Sequence, residues 1–125
     1  MPYRVTREMF ENLAEEALAT IPKKYLKYFK NVTVHIEDYP DDEVLQLMDI
    51  NKTELLGLFT GPGYAGPGFF DNPSPMPDSI ILYQKNLEAI SDSREKLLEE
   101  IRITLVHEAG HYFGLSDDDL AHYEY

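Results

Sequence analysis

His107 and His111 stand four residues apart, and Glu108 directly follows the first of them, in the run Val106-His107-Glu108-Ala109-Gly110-His111-Tyr112-Phe113-Gly114-Leu115-Ser116-Asp117. On an α-helix, side chains four apart return to nearly the same side, about 40° around the axis and one turn along it. The two imidazoles can therefore grip one ion. Glu108 turns away from the pair but can still reach a water held in an open position on the metal. Zinc with three protein ligands and a water lowers the pKa of that water to about 7, and a neighbouring carboxylate can then accept its proton. These residue types at this spacing point to metal-assisted hydrolysis.

A third ligand must come from beyond the helix. Gly114 fits a helix stop, because glycine accepts the left-handed backbone of a C-terminal cap and lets the chain fold back under the ion. Asp117, three residues later, is the natural candidate, with Asp118 and Asp119 as substitutes. The six residues from His111 to Asp117 can span up to roughly 20 Å when extended, so a tight reversal is sterically easy. From Ile103 to Leu115, Glu108 is the only formally charged residue when histidines are neutral. A carboxylate in so apolar a segment needs a compensating charge, which a divalent cation supplies.

His107, Glu108, His111, Gly114 and Asp117 together fit H-E-x-x-H-x-x-G-x-x-D. The chain resembles the small, single-domain bacterial zincin-like metallopeptidases, in which aspartate replaces a third histidine. The likeness extends over nearly the whole chain: an opening amphipathic helix ending in Ile21-Pro22, a strand from Val32 to Asp38, then Leu55-Leu56-Gly57-Leu58-Phe59 and Pro77-Asp78-Ser79-Ile80-Ile81-Leu82-Tyr83. Met1, Met9, Met48 and Met76 all lie upstream of the motif, so the methionine turn of the larger metzincins is missing. The resemblance implies a minimal zincin holding one zinc ion through His107, His111 and Asp117, with Glu108 as general base and a peptide or protein as substrate.

A length of 125 residues suits one domain spanning 1–125, without the two lobes that flank a deep cleft in large metallopeptidases. Hydrophobic residues make up 43% of the chain, enough to bury a core. With no cysteines, disulfides and thiolate chemistry are excluded; with no apolar leader or transmembrane-length run, the expected place is the cytoplasm, away from membranes. A net charge of −12 repels phosphate backbones, so nucleic acid is not an expected partner. The same field attracts metals and basic peptides.

The remaining elements must position this site. Phe10, Leu13, Ala14, Ala17, Leu18 and Ile21 form one stripe of a helix from Thr6, closed by Pro22. Pro22 can open a short second helix with Tyr25, Leu26 and Phe29 inward and Lys23, Lys24, Lys27 and Lys30 outward. Alternation in Val32–Glu37 predicts a strand with Val32, Val34 and Ile36 toward the core and His35 on the other face. Pro40-Asp41-Asp42-Glu43 starts a short helix. Leu55 to Thr60 is apolar on both faces, which suggests a central strand, with Gly57 at a close approach or a bulge.

Residues 61–78 hold four of the seven glycines and five of the eight prolines, with Tyr64, Phe69 and Phe70, and read as a loop that either walls the cleft or pins itself to the body. Ser79 to Gln84 is a further strand; at an edge, it could pair with an extended peptide. Asp92 with Glu95 resembles a capping box for the motif helix. His122 and Glu124 are weaker metal candidates in the tail, and Tyr64, Tyr112 and Tyr123 are candidate donors to an oxyanion.

The resulting expectation is an α+β, zincin-like fold: a small mixed or antiparallel sheet of three or four strands packed on the N-terminal helix and the C-terminal motif helix. The expected activity is zinc-dependent peptide-bond hydrolysis. Two alternatives remain: a non-catalytic, metal-stabilised protein-binding module, and a metal-dependent ribonuclease, against which Glu108, Asp117 and the net charge all argue. Oligomeric state is not legible.

Overall fold

A computed structural model describes residues 1–60 and 78–110, together with the helical backbone of 111 and 112. The first helix, α1 (Arg7–Ala19), starts where Thr6 accepts the Met9 N–H at 3.1 Å, and it buries the expected stripe of Phe10, Leu13, Ala14 and Ala17. After Pro22 come α2 (Lys23–Leu26) and a single 3-10 turn (Lys27–Phe29). Tyr25 is buried and the four lysines are exposed as expected, but Leu26 faces solvent. So short a helix, passing directly into the 3-10 turn, aims only one side chain at the core.

Strand β1 (Thr33–Glu37) alternates as its sequence predicts, with Val34 and Ile36 against the core and His35 exposed. Next is α3 (Asp42–Met48), where Asp41 accepts the Val44 N–H at 2.9 Å and Asp49 ends the helix at a left-handed φ of 53°. Strands β2 (Gly57–Thr60) and β3 (Ser79–Tyr83) complete a three-stranded mixed sheet in the order β1-β3-β2. β1 runs parallel to β3, with Val34 opposite Ile80; β2 runs antiparallel to it, with Phe59 opposite Ile80.

Two expectations are corrected here. Among the described residues β3 is the central strand, so it does not offer an edge to a peptide, and β2 lies at an edge rather than in the centre. Gly57, Leu58 and Phe59 are all buried nonetheless. Helix α5 (Arg94–Tyr112) packs against β2, so its apolar character reflects a helical cover rather than strands on both sides.

Between β3 and α5 lies α4 (Gln84–Ala89), which the polarity of its sequence conceals. Its polar side chains are buried as connectors. Glu88 accepts the Val5 N–H at 2.9 Å, Gln84 donates to the Val5 carbonyl at 3.0 Å, and Arg7 donates to Gln84 Oε1 at 2.7 Å. Asn86 donates to the carbonyls of Lys52 and Leu55 at 2.6 and 2.7 Å, which fixes the segment leading into β2. The start of α5 is also corrected: the Ser93 hydroxyl, not the Asp92 carboxylate, accepts the Lys96 N–H, at 3.1 Å. The core lies where α1 packs on α5 and α5 covers β3, with Leu97, Ile101, Leu105 and Ala109 from α5 meeting Phe10, Leu13, Ile80 and Leu82.

Candidate active site

Helix α5 carries His107 and Glu108 to the edge of the sheet. Its buried positions Leu97, Ile101, Leu105 and Ala109 recur every fourth residue and hold one face on the core. The neighbouring face, through Glu100, Ile103, Thr104, His107 and Glu108, forms one side of a cleft of about 290 Å³. Leu55, Leu56 and Gly57 form the other side. Both described motif residues therefore open onto one space.

The two walls approach closely because Gly57 lacks a side chain. A Cβ there would lie 2.7 Å from Thr104 Cγ2, 3.1 Å from the Ile81 carbonyl oxygen and 3.7 Å from Glu108 Cγ. The close approach expected of this glycine is what the fold uses. It lets the Glu108 carboxylate accept the Phe59 N–H at 3.2 Å. In an antiparallel ladder, alternate residues turn their peptide groups outward, and the Tyr83 N–H donated to Leu56 at 3.0 Å marks Leu56 as an inward position. Gly57 and Phe59 are then the outward ones, and Phe59 orients the carboxylate.

The described donors suit a divalent cation. His107 Nε2 is buried and imidazole is a donor that zinc accepts, while Glu108, the next residue on the helix, is a half-buried carboxylate placed as base rather than ligand. The backbone of α5 continues through His111, which places that residue one turn beyond His107 on the same helix. The His111 side chain, Asp117 and its substitutes Asp118 and Asp119 lie outside the described residues, as do the tail candidates His122 and Glu124. Among the described residues, no group of three histidine or acidic side chains is gathered as a ligand set. The loop at 61–77, Tyr64, the Tyr112 side chain and Tyr123 likewise fall outside.

Other components of the site were not singled out in the sequence: the Phe59 N–H, and the wall made by Leu55, Leu56, Ile103 and Glu100. Helical spacing was the available signal for the second, because 100, 103, 104, 107 and 108 share a face. A backbone N–H leaves no such signal.

With fold and site in view, the class is that of an α+β protein presenting a histidine–glutamate pair from a long helix beside a sheet edge. The chain belongs to the zincin-like metallopeptidase family, whose model matches residues 29–125. No curated protein matches it. Among solved structures, it is similar in fold to a conserved hypothetical protein from Thermus thermophilus, with a TM-score of 0.56 and 22% identity over 94% of this chain and 99% of that one. Among the described residues, no helix is long and apolar enough to cross a membrane.

Proposed function

We propose that this protein is a zinc-dependent peptidase, in which His107, His111 and Asp117 hold the metal and Glu108 serves as general base. The observation that carries this reading is the shared cleft: His107 and Glu108 both line it, and Glu108 is oriented by the Phe59 N–H. Zinc, when bound, would acidify a water molecule and polarise the scissile carbonyl.

The chain's own contribution is to hold and move a proton. Glu108 takes it from the attacking water and returns it to the leaving amine. The Phe59 N–H bonds one oxygen of the Glu108 carboxylate and so orients the base within the cleft. Gly57 and Thr104 keep the helix against the strand, so the base does not swing out of the cleft. An extended peptide beside β2 would lie along the same edge that orients Glu108.

The ligand set is tested by zinc content in wild type, His107→Ala and Asp117→Ala purified without added metal or a histidine tag. One zinc per wild-type chain and little in either variant supports the set. Zinc retained by Asp117→Ala moves the third ligand to Asp118, Asp119 or the tail, and none in wild type offered zinc removes the metal from the reading.

A further inference from the structure

We propose that the cleft beside His107 and Glu108 is a subsite for a basic side chain, lysine or arginine, of the peptide substrate, and that Glu100 selects it. This rests on the peptidase reading above and names the substrate class of the same site.

The cleft has two chemistries. Its lining combines the apolar Leu55, Leu56 and Ile103 with Glu100, which lies farther back on α5 than the motif. Glu100 and His107 are seven residues apart, which on a helix is two turns or about 10 Å. Lysine and arginine bury their aliphatic stems along apolar surface while keeping a charged head at a polar end. A peptide backbone passing beside Thr104, about 6 Å along the axis from Glu100, can therefore lay such a stem along Leu55, Leu56 and Ile103 and bring its cation to Glu100.

Glu100 already pairs with a cation, though one that stands outside the cleft lining. Its Oε1 lies 2.8 Å from the ammonium of Lys96, one turn back. The Glu100 side chain is 16% exposed and that of Lys96 is 49% exposed. A solvent-facing partner of this kind holds weakly, and a guanidinium that brings two parallel N–H groups can displace it. An apolar side chain would instead bring its surface against a charged oxygen, and an acidic one would repel it. The net charge of −12 further raises the local concentration of cationic peptides.

The test is peptide binding to the zinc-loaded Glu108→Gln protein, followed by fluorescence anisotropy. The labelled pentapeptides differ only in a central arginine, lysine, leucine or glutamate. The arginyl and lysyl peptides should bind about tenfold more tightly than the leucyl one, the worth of one charge-assisted hydrogen bond. Adding Glu100→Gln should abolish that preference, and adding Lys96→Ala should strengthen arginyl binding by freeing the carboxylate. Leucyl binding equal to arginyl, no arginyl binding, or a preference that survives Glu100→Gln would overturn the subsite. Hydrolysis by wild type is a separate readout. Cleavage of a peptide library without bias for basic residues keeps the peptidase and overturns the subsite; arginyl binding without any cleavage keeps the subsite and overturns the peptidase.

Discussion

Glu108 on α5 accepts the backbone N–H of Phe59 on β2 at 3.2 Å, so the motif carboxylate ties the helix to the sheet edge while it lines the cleft. The amide oxygen of glutamine can accept the same N–H. Glu108→Gln should therefore remain within about 0.5 kcal/mol of wild type in urea unfolding, and Glu108→Ala should lose about 1 kcal/mol or more. Equal losses in the two variants would show that the tie contributes nothing to stability.

Gly57 is where a side chain is least tolerated. Gly57→Ala drives its methyl against Thr104 Cγ2 and, less forgivingly, against the backbone oxygen of Ile81. An overpacked contact of this kind should cost about 1–3 kcal/mol. Because α5 must retreat from β2 to relieve it, any activity should fall with stability. An alanine variant as stable as wild type would contradict the close approach.

Asn86 holds the cleft wall from behind. Its amide, buried on α4, donates to the carbonyls of Lys52 and Leu55. Asn86→Ala should cost about 1–3 kcal/mol by leaving those carbonyls without their donor. Faster amide exchange at residues 52–56 would locate the loss; exchange unchanged there would argue against this role.

Much of the scaffold was legible because periodicity reports burial directly. The stripe of α1, the alternation of β1 and the motif helix are where the pattern places them. The edge position of β2 is hidden in its sequence because burial on both faces looks the same whether strands or a helix supply it. α4 leaves no periodic signal because Gln84, Asn86 and Glu88 are polar and buried together, so their partners rather than their hydropathy decide their place. At the site, His107 and Glu108 followed from residue type and spacing, whereas Phe59 contributes through a peptide group that any residue but proline carries.

The cap of α5 separates two adjacent residues that sequence could not. Ser93→Ala should cost about 1 kcal/mol, since its hydroxyl accepts the Lys96 N–H. Asp92→Ala should stay within about 0.5 kcal/mol. Thermal melts of the two variants decide between them, and the reverse ranking would restore Asp92 as the cap.

The Lys96 ammonium is held above its ordinary value of 10.5, first by its hydrogen bond to Glu100 and then by the charge of that carboxylate. A raised value in the folded state means the pair's contribution is present below the ordinary pKa and is lost as pH rises through the folded one. Lys96 therefore stays charged in the neutral range. The gain in arginyl-peptide binding on Lys96→Ala should be the same at pH 7 and at about pH 9; a gain that fades by pH 9 would mean another group competes for Glu100.

The most direct measurement of the central claim pairs zinc content with peptide-library hydrolysis in wild type and Glu108→Gln, read by mass spectrometry on the same preparations. The expected result is one zinc per chain in both proteins, cleavage by wild type, and a rate at least about 10²-fold lower in the variant, the usual worth of a positioned general base. Cleavage by Glu108→Gln at the wild-type rate, or stoichiometric zinc with no cleavage by either protein, would contradict it.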